Sequence, residues 1–485
     1  MSAKWTGKLE KLDENRFLIP KESVQGMKVD GIIYSDEKLK QHLLEDNTPL
    51  QVSNVAFLPG IVKYSLAMPD IHWGYGFPIG GVAAIDPETG VVSPGGVGYD
   101  INCGVRLMAS NLSEKEVKQN LKKLTELLFN NIPCGVGEGG KINLGKKELI
   151  QVCSEGSKWA VKKGYGWNED PEFTEEEGQL KDVSCERITD HAFKRGRDQV
   201  GTLGSGNHFL EIQKVQKIFD EEAARIFGVR EGMITVMIHS GSRGFGYQVC
   251  ADSLQFMRNA PEKYGFTIPD KQLACAPVNS PEGKDYLGEM NAAANYAWAN
   301  RQVIMHLIRE TLEEVFNKNA EDMGLRLIYD IAHNIAKFEE FEIDGRKKIL
   351  LVHRKGATRS FGPGNPKIPT RYKSVGQPVI IPGDMGTASY LMAGTKKAEE
   401  ETFGSTAHGA GRLLSRAAAI RNSNPNEIRE LLLKKGIMIR YRGKKTLQEE
   451  MPDAYKDIDL IADIVDRAGL SRKVARLVPL AVVKG

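Results

Sequence analysis

No apolar run in this sequence approaches the ~20 residues that a membrane-crossing helix requires. The longest, at 232–238 and 349–352, stop far short. The first residues, Met1-Ser-Ala-Lys-Trp-Thr-Gly-Lys, have no apolar centre of the kind a secretion signal carries. A soluble, intracellular protein of the cytoplasm with no membrane partner is therefore expected. There is no C-x-x-C pair: the six cysteines (Cys103, Cys134, Cys153, Cys185, Cys250, Cys275) are dispersed, which argues against a disulfide framework or a structural zinc site. All but Cys103 read as small buried residues. Charge of one sign is also scarce. Sixty-six basic residues against 63 acidic ones leave a net charge of +3, without the excess that marks many nucleic-acid binders. Only local basic surfaces remain, at Lys194–Arg197, Arg354–Arg359 and Arg440–Lys445. The phosphate-cradling pattern GxxxxGK[ST] is absent, and no repeat of 20–50 residues is visible.

What is present has the composition of an ordinary globular enzyme, 41% hydrophobic and 27% charged over 485 residues. Length alone suggests two to four cores. The candidate site residues, however, run from position 100 to 484 without a linker between them, so a single large mixed α/β (α+β) domain over 1–485 is expected. Residues 1–50 read as a peripheral segment, with a strand at Gly31–Tyr34 and a helix near Asp36–Leu44 that carries a surface His42. Ser113 and Glu116 form a capping box ahead of an apolar stripe at Val117, Leu121, Leu124 and Leu128. Residues 168–182 are acidic and aperiodic and read as a surface excursion. Strands at Met233–Ile238 and Leu325–Ile331 run into His239 and His333, and a long helix is expected over 285–317. Further strands are expected at Ile349–His353, Pro378–Ile381 and Gly436–Arg440, and helices near Gly411–Arg421, Asn426–Lys434 and Ile458–Ala468.

The chemistry concentrates where glycines do. In Gly95-Gly-Val-Gly-Tyr-Asp-Ile-Asn-Cys-Gly104, a carboxylate and a thiol stand three residues apart in a backbone free to approach a ligand closely. Taken alone, the stretch also reads as a tight turn with an N-capping Asp100 and a buried Cys103. Four histidines in similar settings shift the balance: His208 after Gly-Asn, His239 before Ser-Gly, His333 before Asn, and His408 before Gly-Ala-Gly. Asp100, Cys103, His208, His239 and His333 can be assembled into a two-metal centre, in which a thiolate or carboxylate bridges. That donor mix suits manganese, iron, cobalt or zinc better than calcium or magnesium. The cluster Asp70-Ile-His-Trp-Gly-Tyr-Gly76 reads as a supporting shell, Asp70 included, or as a substrate-facing loop.

Several long runs strongly resemble the RtcB family of RNA ligases: the stretch 95–107, Gly-Ser-Gly-Asn-His-Phe-Leu-Glu-Ile-Gln (204–213), Met-Ile-His-Ser-Gly-Ser-Arg-Gly (237–244), Ala-His-Asn-Ile-Ala-Lys (332–337), Val-His-Arg-Lys-Gly-Ala-Thr-Arg (352–359), Thr-Ala-His-Gly-Ala-Gly-Arg (406–412) and Ala-Val-Val-Lys-Gly (481–485). The resemblance covers essentially the whole chain. It implies a fold of that family's type, with a central cleft for metal and GTP. It further implies a ligase dependent on GTP and on manganese, Mn2+ as two ions, that joins RNA ending in a 2′,3′-cyclic phosphate or 3′-phosphate to RNA beginning with a 5′-hydroxyl, in tRNA splicing and RNA repair. The implied partners are RNA and an archease-type activating protein.

Carried over by position, Asp100, Cys103, His208, His239 and His333 match the family's metal ligands, with Cys103 as the bridge, and His408 matches its guanylylated histidine. Asn207, His208, Phe209, Leu210, Glu211, His333, Asn334, Ser389, Tyr455 and Lys484 fall at nucleotide-holding positions, Glu211 and Lys484 reaching the guanine. So do Pro382-Gly383-Asp384-Met385 and His408-Gly409-Ala410-Gly411. At Asp384 the family varies, so the backbone of that loop carries the expectation. Arg243, Arg354, Lys355 and Arg412 are expected to meet RNA phosphates.

The residues themselves agree with this. A neutral imidazole can attack the α-phosphorus of GTP when cations neutralise the triphosphate. The Lys-x-Asp-Gly nucleophile of other nucleic-acid ligases is missing. Two other readings use part of the same set: a binuclear metallophosphoesterase acting on RNA ends, which needs no guanine site, and a non-catalytic RNA-binding protein whose histidines fill a core.

Overall fold

Two sheets carry most of the chain in the computed structural model, which describes residues 5–485. The first has seven strands in the order Glu10–Lys11, Arg16–Ile19, Asp30–Tyr34, Ile61–His72, Ile79–Ile85, Arg346–Lys355, Asn334–Ile343. The second runs Leu327–Ala332, Gly104–Ala109, Ile234–Ser240, Phe209–Ile218, Ser471–Lys484, Ser389–Gly394, Pro378–Ile381, with Met438–Tyr441 lying parallel to the end of Ser471–Lys484.

The two-residue period of a strand decides what each face meets. Val105, Leu107 and Ala109 join Leu66, Val82 and Leu350 of the first sheet in one core, while Met108, Val236 and Ile238 face the helical side. That side is covered by the helices Glu114–Asn131 and Pro281–Phe316. The capping box at Ser113 and Glu116 forms as expected. The long helix starts at Pro281, a residue suited to the first turn because its missing N–H would have no partner there. The mixed α/β class expected from the sequence is the class observed.

The topology brings several strand ends to one place. Gly104 lies opposite both Ala332 and Ser240, His239 opposite Phe209, and Phe209 opposite Lys484. The chain then leaves the second sheet at Ala332 and enters the first at Asn334, so His333 alone spans the crossing.

Three expectations need correction. Residues 168–182 are not a surface excursion, because Asp170 and Glu175 are buried. Asp170 takes both arms of Arg309 at 2.7 and 2.8 Å, and Glu175 pairs with the buried Lys337. The segment's acidity compensates buried cations, which no local pattern reveals. The helix expected over Gly411–Arg421 is limited to Arg416–Arg421, because Gly411 adopts φ +73° and the preceding residues wrap the site as a loop. Cys185 is half-buried, whereas Cys134, Cys153, Cys250 and Cys275 are buried as expected. The strand and helix expected within residues 1–50 form at Asp30–Tyr34 and Glu37–Glu45, beside a small core of Phe17, Ile19, Ile33 and Leu43.

Candidate active site

Asp100 and Cys103 project from the turn that feeds the strand Gly104–Ala109. Asn102 between them is left-handed, at φ +53°, and is fully buried. Its amide donates to the Ala294 carbonyl at 2.7 Å, and its side-chain oxygen accepts from Arg301 at 3.1 Å. Arg301 also donates to the carbonyls of Asn102 (2.7 Å) and Ser240 (2.9 Å) and makes a two-pronged pair with Asp330, both prongs 2.8 Å. Arg106 shares Asp330 at 2.7 Å. A buried ionic trio thus ties the Asp100–Cys103 turn to the His239 strand.

The side chains that this framework gathers are close. Cys103 Sγ lies 3.3 Å from His208 Nε2 and 3.2 Å from His239 Nε2, and His208 Nε2 lies 2.8 Å from Asp100 Oδ2. His239 and His333 approach through their Nε2 atoms at 3.3 Å. Two triads capable of holding a cation result, Asp100/Cys103/His208 and Cys103/His239/His333, with Cys103 common to both.

These donors fit a divalent metal. His208 Nδ1 is 3.1 Å from the Leu203 carbonyl, which can only accept, so Nδ1 carries a proton and Nε2 is the atom left to a cation beside the Asp100 carboxylate. Two acceptors at that distance need a cation or proton between them. Burial, helped by neighbouring histidines, holds His239 and His333 well below the usual imidazole range, as neutral ligands require. Burial and the Asp100 charge push the Cys103 thiol up. A bound cation would reverse that.

Beside the cluster opens a cavity of about 580 Å³. His408, Gly409, Ala410 and Gly411 line one wall, and Pro382, Gly383, Asp384 and Met385 another. Asn207, Phe209, Glu211, Asn334, Tyr455 and Lys484 also line it, together with His239 and His333. His408 follows the strand Ser405–Ala407 and packs its ring edgewise on His333, 4.9 Å between centroids. Its Nδ1 hydrogen-bonds to Asp70 Oδ2, which also accepts from the backbone N–H of His408 (3.0 Å) and Gly409 (3.2 Å). Asp70 thus stands directly behind His408. At the far end, burial raises Glu211 to about 8 although Gln213 donates to it at 2.7 Å. Lys484 is lowered by burial against the pull of Glu450, 3.4 Å away, and Glu450 also binds Arg412 at 3.2 Å and the Tyr455 hydroxyl. Ser389 sits behind the wall, accepting from Gln213 at 3.3 Å and Gly383 N–H at 3.4 Å. The Asp384 carboxylate is used within its own turn, by Gly386 N–H (2.8 Å) and Thr387 (2.6 Å), which leaves that loop's backbone to face the cavity.

Of the residues expected to meet nucleotide or RNA, His208, Leu210, Arg243, Arg354 and Ser389 do not line the cavity. Leu210 points to the helical side with Ile212, since alternation gives the cavity to Phe209 and Glu211. Arg354 is fully buried in a bidentate pair with Glu339, at 3.0 and 2.7 Å, and cannot meet a phosphate. Lys355 and Arg412 do line the cavity, the Lys355 ammonium held by the Tyr75 and Phe77 carbonyls and lowered by burial to about 7. Arg243 is half-buried and donates to Thr202 at 3.2 Å. Glu450, Arg416, Arg301 and Asp330 were not anticipated. Glu450 and Arg416 line the cavity, whereas Arg301 lies mid-helix and Asp330 inside a strand, and a single charged residue in such a setting gives no signal in sequence.

A family model described as tRNA-splicing ligase RtcB matches residues 51–485. The chain belongs to the RtcB family. Proteins named tRNA-splicing ligase RtcB from Methanococcus maripaludis and Archaeoglobus fulgidus are 55% and 54% identical to it over 475 and 479 residues. These alignments cover 98% and 99% of this chain and 99% of each relative. The relative from Thermococcus kodakarensis, of the same name, is 51% identical over 98% of this chain and 99% of its own length. No helix among the described residues is long and apolar enough to cross a membrane.

Proposed function

We propose that this RtcB-family protein is a GTP- and manganese-dependent RNA ligase that joins 2′,3′-cyclic phosphate or 3′-phosphate ends to 5′-hydroxyl ends, in tRNA splicing and RNA repair. The observation that carries the reading is the Asp70–His408 pair, set between a cation-competent cluster and a cavity of nucleotide size. With Nδ1–H donating to the Asp70 carboxylate, His408 keeps the Nε2 lone pair free. Nε2 attacks the α-phosphorus of GTP, the bond to the β-phosphate oxygen breaks, and pyrophosphate leaves. Asp70 offsets the positive charge that appears on the ring. An oxygen of the RNA 3′-phosphate then takes the guanylate from Nε2, and the P–N electron pair returns to the imidazole. The 5′-hydroxyl of the second RNA attacks the 3′-phosphorus and yields its proton to solvent, the bond to the guanylate oxygen breaks, GMP departs, and a phosphodiester is left. A cyclic end must first add water to open.

Asp100, Cys103, His208, His239 and His333 would hold the metal, which when bound supplies charge neutralisation and Lewis acidity at the phosphates. Glu211 accepts from the adjacent N1–H and 2-amino groups of guanine, a pair of donors that adenine lacks, and Lys484 donates to its carbonyl oxygen. Arg412, braced by Glu450 and Tyr455, and Lys355 present cations to the cavity. A plain metallophosphoesterase would use the cluster but has no need of an Asp-braced histidine facing a separate base pocket. Incubation with manganese and GTP labelled at the α-phosphate tests the reading. Label should be retained covalently, lost in acid as a phosphoramidate is, and absent in His408→Ala. Retention of label by His408→Ala would overturn it.

A further inference from the structure

Lys456 follows Tyr455 of the cavity wall, but its side chain turns away from the cavity into the protein. It is buried, with no carboxylate in ion-pair range among the described residues. Its Nζ donates instead to two backbone carbonyls, of Pro69 at 3.1 Å and of Ile71. These are the peptide oxygens on either side of Asp70. Through its own N–H, at 2.9 Å, Lys456 also holds the carbonyl of Gly411, three residues beyond His408. One residue therefore touches both strands of chain that present the Asp70–His408 pair.

The pair needs such a brace. Asp70 Oδ2 serves three N–H groups, while Oδ1 is buried with no hydrogen-bond partner among the described residues, so hydrogen bonding to one oxygen alone fixes the carboxylate plane. Clearance is small too: a Cβ on Gly411 would collide with the Asp70 carbonyl oxygen. His72, whose Nδ1 faces that carbonyl at 3.0 Å, is held neutral by burial and braces without charge. Burial also draws the Lys456 ammonium down, to about 8, against the attraction of Asp70 and Asp46, so this cation is kept in place at a cost.

We propose that Lys456 is a positioning residue for His408: by gripping the carbonyls that bracket Asp70 and the backbone of Gly411, it sets the distance and angle at which Asp70 orients the imidazole. The inference rests on the reading of His408 as the nucleotide acceptor. Its signature is selectivity for one step. Lys456→Met fills nearly the same volume without the donor, and its maximal single-turnover rate of guanylylation should fall about 10- to 100-fold, the usual effect of losing an orienting partner. GTP affinity should stay within about twofold, because the lost interaction acts on orientation and not on ground-state binding. Sealing of RNA already capped with a 3′-guanylate, where His408 has finished its task, should stay within about twofold as well. Lys456→Arg, which keeps a cationic donor, should recover part of the guanylylation rate.

An unchanged guanylylation rate in Lys456→Met overturns the inference. So does an equal loss in both steps, which is the mark of general damage. Should Lys456→Met melt below the assay temperature, Lys456→Arg against wild type decides by the same comparison: a loss confined to guanylylation supports the positioning role, and an equal loss in both steps rejects it. If wild type itself forms no GTP adduct, the proposed function fails and this inference with it, an outcome distinct from a wild type that is labelled and a variant that matches it.

Discussion

His239 and His333 approach each other through their Nε2 atoms at 3.3 Å, one from inside a strand and the other from the single residue that links two sheets. Both rings are kept neutral by burial, as ligands of a cation must be, and Cys103 stands beside them. Stripping metal should therefore destabilise the protein. Restoring manganese at a hundred times its dissociation constant should add about 2.7 kcal/mol. Differential scanning calorimetry with and without chelator measures this, and an unchanged melting temperature refutes it.

Cys103 belongs to both triads, whereas Cys275 is buried away from them. Cys103→Ala should lower bound metal by elemental analysis and abolish guanylylation and ligation together. Cys275→Ala should keep both activities. Equal metal content in wild type and Cys103→Ala would count against a bridging thiolate.

Asp70→Asn leaves the His408 environment filled but removes the charge that favours a proton on Nδ1. A fall of at least roughly a hundredfold in the rate of adduct formation is expected. As with His408→Ala, supply of 3′-guanylate-capped RNA should restore sealing. A His333→Ala protein should gain nothing from capped RNA, since that residue belongs to the metal set. Rescue of both variants, or of neither, contradicts this division of labour.

Burial leaves Glu211 protonated below about 8 in the free protein. If guanine binds the ionised carboxylate, binding must release that proton, which costs up to a factor of ten in affinity for each pH unit below that value. GTP affinity should rise between pH 6 and about 8 and then level off. In Glu211→Gln the dependence should disappear and preference for GTP over ATP should shrink. Isothermal titration at several pH values decides it, and a flat wild-type profile sinks the idea.

Asp330 is buried between Arg301 and Arg106, and although burial opposes ionisation, the two guanidiniums hold its carboxyl below the usual carboxylate range. A depressed value means the stabilisation is present above the unfolded carboxyl range and is lost as pH falls through the folded one. Asp330→Ala should cost about 3–5 kcal/mol, because two cations would be left buried without a partner. Chemical denaturation at pH 7 gives the number, and a loss under about 1 kcal/mol would reject the clamp.

That Asp100, Cys103, His208, His239, His333 and His408 would gather in one place was legible because each stands in a glycine-rich or asparagine-containing motif long enough to carry a family resemblance. Strand ends beside His239 and His333 were legible from apolar runs. What escaped depends on contacts far apart in sequence. Asp170 and Glu175 looked like solvated acids until Arg309 and Lys337 appeared against them. Arg354 looked like a phosphate ligand until Glu339 met it across a hairpin. The side-chain direction of Leu210 was fixed by strand alternation, and a motif match at that position says nothing of which face it takes.

The strand Ser471–Lys484 lies inside the second sheet, between Phe209–Ile218 and Ser389–Gly394, and is not at its edge. During synthesis, the ribosome must therefore release these late residues before the two halves of the sheet can be stitched together. Lys484 then arrives opposite Phe209, beside the histidines. Joining Phe209–Ile218 to Ser389–Gly394 and seating Lys484 on the cavity wall are therefore one folding event and not two.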